Sequence, residues 1–285
     1  MSMRLAYNTN GFPQHELTDV IDLLGRLGYA GIAITPDTFH LNPWHDGVAR
    51  ARTLRSRLAD QGLAVAVETG ARFLLDPRRK HWPTLLDEPA DAGRRLDLLR
   101  RCLDIAVALG AETFSFWSGR RPVGLSDEAV LDRLAHGAGA LLEAARGSGV
   151  EVCFEPEPGM AIDSLERTAE LLLRLAATAD DDASDALGLM LDVGHVPVTE
   201  SLTPGEALRA LGDQVVGVQL DDSRNGVHEH LFFGDGEIDF ADVVAALDEI
   251  GFTGLAAVEL PRHDHDPVHT ATRAVEFFRR FGPVR

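Results

Sequence analysis

The chain reads LGLMLDVGH from residue 187 to residue 195. A short apolar run that ends at turn-forming residues is typical of a buried β-strand. Asp192 stands at the carboxyl end of that strand, and His195 lies just beyond it in the following loop. This stretch predicts a strand that delivers a carboxylate and an imidazole to one edge of a sheet.

Three other apolar runs end in the same way. A group that can bind a metal stands at the carboxyl end of each run, and a parallel barrel builds its active site at that end. We therefore expect these groups to converge with Asp192. The runs read VEVCFE up to Glu155, VVGVQL around Gln219 and LAAVE up to Glu259.

Eight strand-like runs alternate with helical patterns along the whole chain. Strict alternation implies a parallel sheet, and eight units predict an α/β fold with one closed (β/α)8 barrel. No linker interrupts the series, so we expect a single domain over residues 1–285. An open doubly wound sheet is the alternative, but residues 8–12 read NTNGF and do not match its glycine-rich phosphate loop. The predicted strands cover residues 4–8, 31–35, 63–68, 111–117, 150–155, 187–192, 215–220 and 255–259.

Some helix starts carry explicit signals. Residues 203–206 read TPGE, which combines a capping threonine, a proline in the first helical position and a glutamate in the third. Asp239 is placed to cap a later helix. Residues 163–166 read DSLE, which predicts a capping box with Asp163 at the cap.

A long connection at about residues 69–89 follows the third strand. It contains the segment GARFLLDPRRKHW at residues 70–82, with aromatic side chains and four cations in an acidic protein. Loops of this length in compact domains are usually functional or disordered. The segment is predicted to be a lid or binding loop, and the alternative is a solvated excursion.

Composition narrows the class of protein. The net charge of −18 over 285 residues argues against nucleic-acid binding, which needs clustered Lys and Arg. No run approaches the roughly 18 apolar residues of a membrane helix, which predicts no membrane partner. Cys102 and Cys153 lie in apolar segments, and no apolar signal core stands near the start of the chain. These features predict buried thiols and a cytoplasmic protein.

The predicted strand ends gather mostly oxygen ligands, with histidines in the loops that follow. Such a set suits one divalent ion, Mg²⁺ or Mn²⁺, while Zn²⁺ and Co²⁺ stay open. Without an ion, acids around a barrel axis would have raised pKa values. The delivered side chains are Glu68, Trp117, Glu155, Asp192, Gln219 and Glu259, followed by His195, His228 and His230.

Each candidate ligand also has a plain structural alternative. Asp192 could cap the segment after its strand, and Gln219 could satisfy backbone groups. Glu155 is followed by PEPG at residues 156–159, and these prolines keep its carboxylate aimed. For Glu157, inside that motif, two positions are equally expected: support of the site from behind the ligands, or exposure to solvent. We interpret Glu155, Asp192, Gln219 and Glu259 as the metal ligands.

Other strand-end and loop residues are assigned to the substrate. Glu68 and Trp117 are expected to line the pocket rather than bind metal. His195 is the first choice for contacting substrate, His230 the second, and His228 could take the place of His230.

Four motifs give the chain a family resemblance: FEP at residues 154–156, LDVGH at 191–195, VQLDD at 218–222 and HLFFGDGEID at 230–239. With them the chain resembles the xylose-isomerase-like TIM barrel superfamily, the sugar phosphate isomerase/epimerase family. The resemblance implies a TIM barrel with one divalent metal ion.

The resemblance also assigns residues. In that superfamily the acids at the positions of Glu155, Asp192 and Glu259 bind the metal, and the histidine at the position of His195 contacts substrate in the epimerases. The fourth ligand is commonly histidine, where this chain has Gln219, as in the hydroxypyruvate isomerase branch. The nuclease branch has histidines where this chain has Glu68 and Trp117. Relatives form homodimers and homotetramers, which leaves the oligomeric state open.

The expected activity is metal-dependent isomerisation or epimerisation of a keto sugar, sugar phosphate or cyclitol through an enediolate. Glu155 and Glu259 would exchange protons with carbon, and His195 would orient the substrate. Arg72 or Arg262 would neutralise an anionic group. The alternatives are β-elimination, by a dehydratase or lyase on a 3-keto sugar or inosose, and sugar binding without catalysis.

Overall fold

The computed structural model describes residues 3–178 and 187–283. Eight parallel strands close into a barrel in which each strand pairs with its neighbours along the chain, and the last strand pairs with the first. The predicted (β/α)8 barrel is therefore confirmed. The barrel strands are β1 (Arg4–Asn8), β2 (Gly31–Ile34), β3 (Ala64–Glu68), β4 (Thr113–Phe116), β5 (Glu151–Phe154), β6 (Leu187–Asp192), β7 (Val215–Leu220) and β10 (Leu255–Val258).

In several barrel strands, small and large side chains lie on opposite faces of the sheet. Ala6, Ala33 and Ala66 form a separate buried cluster with Leu255 and Ala257. Their strand neighbours of larger size, such as Leu5, Ile32 and Val65, belong to the main core with the helices. Side chains alternate between the two faces of a strand, so the barrel interior here holds these alanines and Leu255, while the other bulky residues face the helices.

Helices follow the barrel strands and cover the outside. Within the described ranges, no helix is long and apolar enough to cross a membrane. Both cysteines are buried free thiols, as predicted. The helices are α1 (Leu17–Leu27), α2 (Gly47–Asp60), α3 (Pro89–Leu109), α4 (Asp127–Ala145), α5 (Leu165–Thr178), α6 (Val196–Thr199), α7 (Pro204–Leu211), α8 (Phe240–Glu249) and α9 (Pro267–Phe278).

A two-stranded antiparallel hairpin, β8 (Asp222–Arg224) and β9 (Val227–Leu231), stands outside the barrel. The prediction of a loop after β7 was wrong here, because His228 and His230 lie on β9. The turn between the strands has Asn225 at φ 55° and Gly226 at φ 64°. An Asn-Gly pair with two positive φ angles is the usual two-residue hairpin turn, so the dipeptide itself was the missed signal.

The predicted helix caps are mostly confirmed. Thr203 and Glu206 form a capping box, and Asp239 accepts hydrogen bonds from two backbone N–H groups of α8. The cap of α5 was misplaced by one residue: Ser164 Oγ, not Asp163, accepts from the N–H of Arg167 at 3.3 Å. Because α5 begins at Leu165, Ser164 is the residue directly before it.

The capping box of α7 gives a stability prediction. Replacing Thr203 with Ala removes the acceptor of the Glu206 N–H, and we expect the free energy of unfolding to fall by about 1 kcal/mol in a denaturant titration. Thr53→Ala is the matched control, because Thr53 is exposed within α2 and should change stability by less than about 0.5 kcal/mol. Equal effects in the two variants would contradict the capping role.

Candidate active site

The four predicted ligands lie together at the carboxyl ends of their strands. Asp192 and Gln219 are register partners on β6 and β7. Glu155 and Glu259 follow β5 and β10 directly, and their N–H groups continue the barrel ladder to Phe116 O and Leu220 O, at 2.9 Å each. All four are buried, and a carboxylate oxygen from each of the three acids lies within 4.8 Å of the others.

Gln219 is held by neighbours on both sides of its amide. Its Nε2 donates to Glu68 Oε2 at 3.2 Å, and its Oε1 accepts from Asn8 Nδ2 at 3.4 Å. Glu68 lies at the end of β3, so the amide spans the barrel interior between distant strands. Gln219 therefore lies at the level of Asp192, with its amide oxygen held by Asn8 and its amide nitrogen by Glu68.

Three polar residues at or just after the ends of β1 and β2 support the acids and were missed in the sequence. Asn10 Nδ2 donates to Glu259 Oε1 at 2.7 Å, and Asn8 Oδ1 accepts from the Asn10 N–H at 2.9 Å. Thr35 Oγ1 donates to Asn8 Oδ1 and lies against Glu68. They occupy the same strand-end positions as the acids, so extending the strand-end rule to amides and hydroxyls would have found them.

Three imidazoles face one another beside Asp192. His195 Nε2 lies 3.1 Å from His228 Nε2, which lies 2.8 Å from His230 Nε2. The hairpin therefore brings His228 and His230 to the site together, rather than one in place of the other. His195 Nε2 also lies 3.3 Å from Asp192 Oδ2.

The tandem Asp221 and Asp222 explain how the hairpin is held. Asp221 is fully buried, and its Oδ2 contacts His230 Nδ1. A Cβ on Gly194 would lie 1.7 Å from Asp221 Oδ1, so only glycine fits there. Asp222 accepts N–H groups from Ser223, Gly234, Gly236 and Ile238 at 2.8–3.1 Å, which anchors the loop after β9.

Burial divides the acids into two electrostatic classes. It raises the pKa of Glu155 well above the usual range, helped by the charges of Glu157 and Asp192, and it does the same for the pKa of Glu259 beside Glu68. Burial alone would raise the pKa of Asp192, but the adjacent histidines outweigh this effect and lower the pKa below its usual range. In the protein alone, Asp192 therefore keeps its charge more readily than the two glutamates.

The donor set fits a divalent cation. Asp192 Oδ2 is buried and has no hydrogen-bond donor within the described part of the chain. His195 Nδ1 lies 3.1 Å from Pro156 O, a carbonyl oxygen that can only accept, so that nitrogen donates, and His195 Nε2 faces His228 Nε2 at 3.1 Å. A divalent ion beside Asp192 Oδ2 would supply the partner that this buried carboxylate oxygen lacks.

A cavity of about 480 Å³ opens above these groups. Its size falls within the range of small-molecule sites, roughly 300–1,000 Å³. All six residues predicted to contact substrate line it, whereas Asp192 and Gln219 lie deeper. The six are Glu68, Arg72, Trp117, Glu157, His195 and His230.

The sequence of the barrel was compared with those of known proteins. A sequence model described as a xylose isomerase-like TIM barrel matches residues 8–281. An uncharacterised protein of Methanocaldococcus jannaschii is 27% identical over 167 residues, 58% of this chain and 56% of that protein. The chain thus matches little more than half the length of this relative.

Solved structures share the fold at low identity. A 3-keto-D-glucoside 4-epimerase from E. coli has a TM-score of 0.76 at 15% identity, with 98% of this chain and 100% of that one covered. The D-allulose 3-epimerase of Methylomonas sp. has a TM-score of 0.74 at 18% identity, with 98% of each chain covered. The IolI protein, solved with a zinc atom, has a TM-score of 0.74 at 19% identity, with 98% and 99% covered.

The raised pKa of Glu155 predicts a pH-dependent stability in metal-free protein. A carboxyl whose pKa is higher in the folded than in the unfolded state stabilises below the unfolded pKa, about 4.3, and loses that contribution as pH rises through the folded pKa. Glu155→Gln cannot ionise. We therefore expect its free energy of unfolding, measured by denaturant titration with a chelator present, to increase relative to the wild type as pH rises.

The exposed Glu276 provides the control for this comparison. Glu276→Gln should keep a constant difference from the wild type over the same pH range. A constant difference for Glu155→Gln as well would contradict the buried, mutually repelling arrangement of the acids.

Proposed function

Since the chain belongs to the xylose isomerase-like TIM barrel family, we propose that it is a divalent-metal-dependent sugar isomerase or epimerase. The observation that carries the proposal is the convergence of Glu155, Asp192 and Glu259 in a buried site, with Asp192 Oδ2 lacking a donor among the described residues. The sugar epimerases among the solved structures of the same fold support it.

The three acids would hold the ion, with Gln219 as a neutral fourth ligand. A ligand set of oxygens favours Mn²⁺ or Mg²⁺, and the zinc atom in the IolI structure keeps Zn²⁺ open, as it does the chemically similar Co²⁺. A bound divalent ion supplies Lewis-acid stabilisation of negative charge that develops on substrate oxygens.

Glu155 and Glu259 would transfer the proton at carbon. They follow β5 and β10, which are separated by β6 and β7 in the barrel, so they face the cavity from different sides. Asn10 aims Glu259 through its 2.7 Å hydrogen bond to Oε1. Isomerisation and epimerisation through an enediolate both need a base to remove a weakly acidic C–H proton beside the carbonyl and an acid to return it.

The remaining cavity residues would bind and orient the sugar. His195 is fixed by its contact with Pro156 O and would orient a substrate hydroxyl or carbonyl. Trp117 offers an aromatic surface to the sugar ring, and Glu157 and His230 offer polar contacts.

The test is turnover of a keto-sugar panel in heavy water with Mn²⁺. We expect deuterium at the reacting carbon of the product, and Glu155→Gln or Glu259→Gln should lower the rate by about 100-fold or more, because each removes a group that carries the proton. Glu276→Gln, exposed and outside the cavity, should turn over like the wild type.

Other products of this assay would indicate a different reaction. An isomer formed without deuterium would indicate a hydride shift and contradict the proton-transfer mechanism. A dehydrated or cleaved product would indicate elimination by a dehydratase or lyase. Sugar binding without turnover of any member of the panel would indicate a binding protein.

A further inference from the structure

The four cations in the connection between β3 and α3 form two groups, those that pair with an acid of the loop and those that line the cavity. Asp76 pairs with Arg79 at 2.8 Å and with Arg78 at 4.0 Å, and none of the three lines the cavity. Arg72 and Lys80 line the cavity and form no ion pair with a carboxylate of the described residues. Two cations of one loop therefore face the site without an ion-pair partner in the described part of the chain.

The charge balance of the chain makes these unpaired cations informative. The sequence has 45 Asp and Glu against 27 Lys and Arg, so carboxylates are in excess. Arg262, the third Arg or Lys of the cavity wall, donates to His228 O at 3.2 Å and holds the hairpin. Of these three cations, only Arg72 and Lys80 make no polar side-chain contact within the described residues.

The loop backbone holds Arg72 and His81 side by side. The Arg72 N–H donates to His81 Nδ1 at 3.2 Å, and the His81 N–H donates to Arg72 O at 2.6 Å. Ala71, Arg72 and His81 all have positive φ, at 51°, 41° and 65°. Unfavourable backbone conformations in residues other than glycine concentrate at ligand-binding sites, which supports a binding role for this pair.

His81 adds a neutral donor to the same wall. Because its Nδ1 accepts from Arg72, its Nε2 carries the ring proton. Burial and the nearby cations lower the pKa of His81 to about 3, so the ring stays neutral. Its ring meets the edge of Trp117, with ring centroids 5.1 Å apart.

A buried arginine lies behind that wall. Arg95 is 1% exposed, its Cζ lies 4.9 Å from the centre of the Trp117 ring, and its two terminal nitrogens have no hydrogen-bond partner in the described part of the chain. The loop after β3 is therefore backed by positive charge, whereas the acids, including Glu68 at the end of β3 itself, lie at the strand ends.

We propose that Arg72 and Lys80, with His81 Nε2–H, bind an anionic group of the substrate, a phosphate or a carboxylate. The substrate class is then an anionic keto sugar with its reacting carbon at Glu155 and Glu259, a placement that rests on the proposed function. Charge-assisted hydrogen bonds from Arg and Lys are the strong contacts available to such a group.

The test is calorimetric binding of inorganic phosphate and of D-glucuronate to chelator-treated protein, so that no metal contributes. We expect the Arg72→Met, Lys80→Met double variant to bind about tenfold or more weakly, and added salt to weaken binding to the wild type. Arg78→Met is the matched control, because Arg78 belongs to the same loop but lies outside the cavity, and its affinity should equal that of the wild type.

The two probes separate the two sources of anion. If phosphate binds more tightly, the substrate is assigned as a sugar phosphate. If glucuronate binds more tightly, the substrate is assigned as a sugar acid. Lys80→Met alone is a second variant that an exposed position should tolerate, with affinity reduced about threefold or more. The proposal is overturned if neither anion binds the wild type, or if both bind all variants equally.

The anion site and the proposed function fail in different ways. Deuterium exchange in a neutral keto sugar, with anions binding equally to every variant, would retain the function and overturn the anion site. Loss of anion binding in the double variant, with no exchange in neutral or anionic keto sugars, would retain the anion site and overturn the function.

Discussion

Three carboxylates buried within reach of one another are the constraint on which the site depends. Closure of the parallel barrel brings the carboxyl ends of β5, β6 and β10 to one place, and the side chains there are Glu155, Asp192 and Glu259. Like charges in a low-dielectric interior repel strongly. Burial and this repulsion raise the pKa of the two glutamates, and imidazoles lie beside Asp192. A divalent ion would relieve the repulsion among all three acids.

The parts around the acids can be understood as supports for that arrangement. Asn8, Asn10 and Thr35 orient the acids from the strands that close the barrel. Asp221 and Asp222 fix the hairpin, which presents two histidines to the cavity. The positive loop after β3 adds a second chemical character to the cavity: the strand-end acids would serve a metal-assisted proton transfer, and the loop would bind an anion.

The barrel and the positions of the acids follow from local patterns. Apolar runs ending in polar groups, alternating with helical periodicity, predict both the strands and the end at which Asp192 and Glu259 emerge. Contacts made by closure are not visible in such patterns: Asn8 meets Gln219 across 211 residues of chain. The hairpin was missed because β8 and β9 are short and polar, although Asn225 and Gly226 signalled its turn.

The most direct measurement is equilibrium dialysis of metal-stripped protein against Mn²⁺, with ions counted per chain for the wild type and for Asp192→Asn. This substitution keeps the size of the side chain but removes the charge that faces His195 Nε2. We expect about one tightly bound ion in the wild type and a loss of tight binding in the variant. No bound ion in the wild type with Mn²⁺, Mg²⁺, Zn²⁺ or Co²⁺ would contradict it.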